Sequence, residues 1–322
     1  MHDFDVVGVG LNATDTTLVV PRFPPYGGKV PFSREFYSPG GQVATAMVAC
    51  ARLGLRAKYI GAVGDDERGR IQMDSLRTSG VDIAHVRQRP NCPNQSAYIV
   101  VDESTGERTV FWNRPECLAI SPQEIDPNQI TGARLLHIDG HDTPAVERAA
   151  RIARSQRIPV TVDVDTIYPG FERVLPLVDY LIASSDFPAR WTGIGDPFAA
   201  LAAIQRQAGM RMAAMTLGAD GALAFSAATG AFLYSPAFVV NCVDTTGAGD
   251  VFHGAFCYAV LQQMTIADAL AFSNAMAALN CTAFGARGGI ATLAEARALL
   301  ASGSRRENPD IAARAGRKPG AR

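Results

Sequence analysis

Val243-Asp244-Thr245-Thr246-Gly247-Ala248-Gly249-Asp250-Val251-Phe252 places a glycine-rich turn, a helix start and a carboxylate within one short stretch. Beyond Gly249 the apolar residues Val251, Phe252, Ala255, Phe256, Ala259 and Val260 recur at one-and-four spacing, which predicts an amphipathic helix with one buried face. Gly247, Ala248 and Gly249 form its first turn. The unpaired N–H groups of a helix start carry partial positive charge, and glycines let an anion approach the backbone without meeting a Cβ. Asp250 sits just inside that start. A carboxylate beside an anion site is electrostatically awkward unless it has another task, such as receiving the proton of an attacking hydroxyl. The plainer alternative is an ordinary first-turn acidic residue.

Outward from this stretch, strand-like and helix-like segments alternate. Apolar runs at Phe4 to Gly10, Ala57 to Val63, Leu135 to Ile138, Val160 to Val164, Tyr180 to Ala183 and Met212 to Leu217 read as strands. Helical periodicity over Gln42 to Leu53, Arg68 to Ser79, Pro144 to Gln156 and Pro197 to Ala208 separates most of them. This rhythm predicts an α/β fold, a doubly wound and mainly parallel sheet with helices on both faces. Residues 14–36 and 96–112 are rich in Val, Thr, Tyr and Phe and lack helical periodicity, and they read as a small β-sheet lid. Residues 303–322, with Arg305, Arg306, Arg314, Arg317, Lys318 and Arg322, read as a frayed tail behind a single domain over 1–302.

Composition limits the functional classes. The 322 residues are 48% hydrophobic, and 30 Lys+Arg against 31 Asp+Glu give a formal charge of -1. No global basic field exists to hold nucleic acid or an anionic membrane. The start, Met1-His2-Asp3-Phe4-Asp5, has no basic region ahead of an apolar stretch, so a cytoplasmic location is expected. Six cysteines, at 50, 92, 117, 242, 257 and 281, form no C-x-x-C pair and are expected to be reduced, mainly buried thiols.

Other constellations compete for a role. Gly8-Val9-Gly10-Leu11-Asn12-Ala13 follows a strand and offers a dinucleotide fingerprint, hence an NAD-dependent oxidoreductase. The β-branched Thr14, Thr16, Thr17, Val19 and Val20 argue for continued strand instead. Asn12 and Asp15 then face a ligand crevice, or cap a turn. Gly40-Gly41 opens a helix that carries Thr45. Thr216-Leu217-Gly218-Ala219-Asp220-Gly221 closes a strand with small residues, suiting a nucleotide or a plain strand connection. His137, Asp139, His141 and Asp142 lack the one-turn spacing of paired metal ligands and read as crevice lining. Asp163 and Asp165 alternate on one strand and could hold a hydrated Mg²⁺ together.

Taken in order, Gly40-Gly41, Gly61-x-x-Gly64-Asp65-Asp66-x-x-Gly69, the Thr216 turn and Asp244 to Asp250 resemble the ribokinase-like (PfkB) carbohydrate kinases over about residues 4 to 300. The resemblance implies transfer of the ATP γ-phosphoryl group to a hydroxyl of a sugar or sugar derivative, with Mg²⁺ as metal, and in some members K⁺. It casts Asp250 as base and the N–H groups of Gly247, Ala248 and Gly249 as an anion hole. Asn12, Asp15, Gly40, Gly41 and Thr45 would meet the sugar, and Thr216, Gly218, Gly221, Gly247, Gly249 and Asn274 the nucleotide. Asp244 and Gly285, in the loop to Gly289, resemble a monovalent-cation site. A homodimer through the β-lid is a further implication, and a non-catalytic sensor of the same fold is the alternative. Thr45 stands where many members have asparagine, and the Asn-x-x-Glu motif expected at Ser184 to Phe187 is missing. Motif detail around Val243 to Ala255 and Cys281 to Ile290 resembles the sulfofructose kinase and ketohexokinase-like branch.

Overall fold

Every residue of Val6-Val7-Gly8-Val9 is buried, because the strand Phe4–Val9 is covered on both faces. Val6 packs with Val43 and Met47, while Val7 and Val9 join a separate cluster with Val146 and Ala149. A Cβ on Gly8 would lie 2.6 Å from Val43 Cγ1 and 2.7 Å from Met47 Cγ, so this glycine serves close packing of the helix Gln42–Arg52 on the strand. The computed structural model describes residues 2–316.

The strand lies next to the edge of an eight-stranded sheet. The order is Ala231–Ser235, Ala222–Ser226, Met212–Thr216, Tyr180–Ala183, Val160–Val164, Ala133–Ile138, Phe4–Val9, Ala57–Ile60. The six strands from Met212–Thr216 to Ala57–Ile60 run parallel, and Ala222–Ser226 pairs antiparallel with both Met212–Thr216 and Ala231–Ser235. Helices Thr143–Ser155 and Pro197–Ala208 cover one face, and Gln42–Arg52, Ala248–Leu261 and Ile266–Asn280 the other. The expected doubly wound α/β architecture is present. From Phe4–Val9 the chain goes first to one neighbouring strand, Ala57–Ile60, and later to the other, Ala133–Ile138, which opens a crevice at their carboxyl ends.

A second sheet stands over that crevice. Its order is Arg34–Gly40, Ala13–Val20, Ser96–Asp102, Arg108–Asn113, drawn from the two stretches that lack helical periodicity. Ala13–Val20 follows Gly10 directly as strand, so no helix opens after Gly8-Val9-Gly10 and the dinucleotide fingerprint is absent.

Two expectations need correction. Cys92 and Cys117 are joined in a disulfide, and Cys50, Cys242, Cys257 and Cys281 are free. Their separation of 25 residues hides the pairing in the sequence, but the hairpin of Ser96–Asp102 and Arg108–Asn113 folds the chain back and brings the ends together. The segment after 302 is not frayed up to residue 316. Arg305–Arg306 pairs with Ala237–Phe238, Arg305 stacks 3.8 Å from the Phe238 ring centroid, and Arg314 bonds Asp196 at 2.8 Å while lying over Phe198. Its arginines anchor it through aromatic rings and a carboxylate, a role that a count of apolar residues does not register. Arg317, Lys318 and Arg322 lie outside the described residues. Among the described residues, no helix is long and apolar enough to cross a membrane.

Candidate active site

The helix Ala248–Leu261 begins at Gly247, whose φ of 74° is left-handed and whose Cβ would lie 2.3 Å from Ala286 O. Gly249 differs. A Cβ there would meet nothing within 4 Å, because the residue faces open space at the helix start. The turn is fixed from below by Asp244, which is fully buried and accepts hydrogen bonds from Thr246 N and Gly285 N, both at 2.8 Å. Asn280 adds bonds to Thr246 O at 3.1 Å and Ala286 O at 3.2 Å. Asp244 and Gly285, the expected cation ligands, are thus brought together by a carboxylate–amide bond that joins two loops.

Asp250 occupies the first turn of this helix. Its carboxyl is pushed up to about 7, first by burial and then by the charge of Asp163, against the opposing charges of His253, Arg108 and Arg287. A carboxyl in that range exchanges its proton near neutral pH, as a general base should.

Across the crevice stands Asp15, on the second sheet and only 5% exposed. Burial and the nearby Asp250 raise it to about 7, while Arg287 pulls the other way. Both neighbouring glycines are required here. A Cβ on Gly40 would lie 2.5 Å from Asp15 Oδ2, and Gly41, with φ of 90°, passes so close to Asn12 that a Cβ would lie 2.4 Å from its Cα. Asn12 is placed differently from its expected role. Its Nδ2 donates to Tyr59 Oη at 2.9 Å and Ala62 O at 2.6 Å, and its Oδ1 accepts from Asn94 at 3.2 Å, so the amide braces the crevice wall. Thr45 is fully buried and its hydroxyl accepts from Arg287 Nε at 3.1 Å.

Arg287 escaped the sequence reading. It also donates to Ser75 Oγ at 2.8 Å, Gly40 O at 2.9 Å and Gln72 Oε1 at 3.1 Å. Burial lowers its guanidinium to about 10, opposed by Asp250, Tyr59 and Asp15. One cation therefore ties Gly40 and Thr45 together and offsets the two carboxylates. Only the loop spacing from Asp244 to Gly289 hinted that this segment returns to the site.

Asp163 and Asp165 lie close enough that, after burial, the charge of Asp163 raises the Asp165 carboxyl, but their surroundings differ. Asp165 lies beyond the end of Val160–Val164, whereas Asp163 is buried with Oδ1 3.2 Å from His253 Nε2. Burial raises the Asp163 carboxyl, yet His253 outweighs it and holds the group below its ordinary value. No group of three or more His, Cys, Asp or Glu side chains is arranged for a metal ion among the described residues. His137 bonds Thr161, His141 bonds Tyr168 at 2.7 Å, and Asp139 accepts from Leu11 N and His141 N, so each of these side chains is held by a protein partner.

On the other side of the helix start lies a cavity of about 500 Å³. Thr216, Gly218, Gly221, Ala248, Gly249 and Asn274 all line it, together with Arg108, Thr245 and Phe238. This volume accommodates a ligand of nucleotide size. Gly221, at φ 93°, is obligatory because a Cβ would lie 2.1 Å from Ser235 O, and Asn274 Nδ2 donates to that same oxygen at 2.8 Å. Gly218 faces open space. The helix start, this cavity and the wall that carries Asp15 thus adjoin at Gly249 and Asp250.

The family model described as "pfkB family carbohydrate kinase" matches residues 3–293. An ATP-dependent ribose-1-phosphate kinase of Halopiger xanaduensis is 32% identical over 294 residues, covering 88% of this chain and 93% of its own length. Ribokinase of Haemophilus influenzae is 27% identical, with 87% and 93% covered. The solved structure of a candidate ribokinase from Agrobacterium tumefaciens superposes with a TM-score of 0.86 at 28% identity, covering 92% of this chain and 97% of that one. Arabidopsis thaliana ribokinase, solved with ribose and ATP, shares the fold at a TM-score of 0.77 and 23% identity, with 92% and 98% covered.

Proposed function

The chain belongs to the pfkB family of carbohydrate kinases, and on that premise we propose that it transfers the γ-phosphoryl group of ATP to a hydroxyl of a sugar or sugar derivative. The observation that carries this reading is Asp250, titrating near neutrality in the first turn of the helix whose start borders both the cavity and the acceptor crevice. A sugar hydroxyl is a weak nucleophile at pH 7. Asp250 receives its proton as the oxygen attacks, and the N–H groups of Gly247, Ala248 and Gly249 stabilise charge on the moving group. Asp15 accepts from acceptor hydroxyls and orients them, while Arg287 holds the Gly40 and Thr45 walls in place.

Mg²⁺ would enter this site on the nucleotide rather than in a protein cage, and would neutralise phosphate charge there. The absent Asn-x-x-Glu motif and the commitment of Asp163 to His253 both favour that arrangement. At the K⁺ site that the resemblance implies, the Asp244 carboxylate accepts from Thr246 N and Gly285 N. Names of the relatives favour a ribose-type acceptor, free or already phosphorylated, and none of those reported favours the sulfofructose kinase branch. Exposed Tyr37, Tyr98 and Phe111 on the second sheet support a homodimer through the lid.

ATP consumption measured over ribose, ribose 1-phosphate, fructose and nucleosides, with Asp250→Asn as control, tests the proposal. Turnover with at least one acceptor that disappears in the variant supports it. Equal turnover in both proteins overturns Asp250 as base.

A further inference from the structure

The four free cysteines fall into two pairs of opposite character. Cys50 and Cys257 meet in the packing between the helices Gln42–Arg52 and Ala248–Leu261, where both are fully buried. Cys242 and Cys281 also bring their thiols within hydrogen-bond reach, but both line the cavity of about 500 Å³, and Cys242 is exposed. Their backbones are held side by side. Cys281 directly follows the helix Ile266–Asn280, and its carbonyl accepts from Val243 N at 2.8 Å and Asp244 N at 3.3 Å, the two residues after Cys242. Anchoring both cysteines at one hydrogen-bonded junction keeps their thiols together, which is the condition for bridging them. Burial first, and the charge of Cys242 second, push the Cys281 thiol up to about 12, with Arg108 opposing. Cys281 is thus kept as the neutral thiol, and the exposed Cys242 is the one that an incoming molecule meets.

We propose that Cys242 and Cys281 form a two-thiol modification site inside the cavity, which reacts with low-molecular-weight disulfides and excludes nucleotide while the adduct is present. The Cys242 thiolate attacks one sulfur of the incoming disulfide, so a mixed disulfide forms and the first small thiol leaves. That adduct removes the Cys242 charge from beside Cys281, which favours loss of the Cys281 proton. The Cys281 thiolate then attacks Cys242 Sγ, the bond between the two cysteines forms, and the second small thiol leaves. Both cysteines are oxidised and the incoming disulfide is reduced, with the two thiol protons ending on the two small thiols. The adduct stands where Thr245, Gly249 and Phe252 also line the cavity, so it and another ligand compete for that space. The exclusion of nucleotide rests on the kinase reading of this cavity; the exchange does not.

Glutathione disulfide is added to the native wild type, Cys242→Ser and Cys281→Ser, and intact mass with peptide mapping follows the products. The wild type should lose two thiol hydrogens and keep no glutathione, with the new bridge mapped to Cys242 and Cys281. Cys281→Ser should retain one glutathionyl group on Cys242. Cys242→Ser should remain unmodified, as should Cys50 and Cys257 in all three proteins. A non-hydrolysable ATP analogue at about 100 times its Kd should slow the wild-type reaction by about a hundredfold. Glutathione that stays on wild-type Cys242, or modification of Cys242→Ser at the wild-type rate, overturns the inference. Exchange that nucleotide leaves unchanged, in a protein that the ATP-consumption screen shows to be active, overturns it too. Nucleotide-protected exchange without turnover supports the modification site and counts against the kinase reading alone.

Discussion

His253 Nε2 lies 3.2 Å from Asp163 Oδ1, and His253 itself is three positions after Asp250 on the same helix. Residues so spaced share a face, so the imidazole stands between the base and a second buried carboxylate. It lowers the charge that Asp163 imposes on Asp250. His253→Gln should therefore raise the Asp250 pKa and move the acid limb of the kcat profile to higher pH. It should also lower stability, on the order of 3 kcal/mol, because Asp163 loses its partner. The pH profile and a urea denaturation curve read the two effects separately.

Asp250→Asn should lose about 100-fold to 10,000-fold in kcat while nucleotide and sugar dissociation constants change little. In the wild type, activity should rise as pH increases through about 7, since burial and Asp163 raise this group and only its ionised form accepts a proton. An acid limb near pH 4 would show that another group controls the rate. Because Asp15 and Asp250 interact, the limb reports the pair rather than either residue alone.

Asp15 carries a stability consequence of known sign. Its folded pKa of about 7 exceeds the ordinary carboxyl value of 3.8, so the folded state holds the proton more tightly and stability falls as pH rises between those values. Asp15→Asn should flatten that decline while raising the sugar KM. Thermal midpoints of both proteins from pH 4 to 7.5 check the first claim, and steady-state kinetics the second.

The two glycines of the anion turn should fail differently. Gly247→Ala strains a left-handed backbone and drives a Cβ into Ala286, so it should destabilise the fold. Gly249→Ala should fold normally, with a methyl group in the space above the helix start, and lose nucleotide affinity. Thermal denaturation alongside nucleotide titration distinguishes them, and equal melting points for both would refute the contrast.

Cys117→Ser should destabilise the protein by about 3 kcal/mol, the value expected from closing a loop of this length in the unfolded chain. A thiol titration under denaturing conditions should find four reactive groups before reduction and six after.

Much of the large sheet is legible because its strands are short apolar runs separated by helical periodicity. Val160–Val164 and Tyr180–Ala183 appear with the boundaries that the sequence suggests. The anion turn is equally legible, since glycines, helix start and Asp250 are contiguous. What escaped depends on distant contacts. Arg287 reaches Thr45 across 242 positions, and Arg108 reaches Thr245 across 137, separations at which no local pattern survives. The alternation of Asp163 and Asp165 is carried by the strand only as far as Val164, so Asp165 depends on the loop beyond it. Asn12 had a suitable side chain in a suitable place, but Tyr59 and Asn94 had already taken its hydrogen bonds. The spacing of His253 from Asp250 was available and could have been read.

Asp15 is rooted in a strand of the second sheet and Asp250 in a helix packed on the large one, with Arg287 spanning the gap from a third stretch of chain. If Asp15 orients the acceptor and Asp250 takes its proton, as proposed, substrate preference and transfer chemistry sit on separable pieces of backbone. Exchanging residues 13–40 for those of a relative should retune which acceptor is chosen while leaving the phosphoryl step intact, and a lineage of such enzymes can diversify its diet without reinventing its reaction.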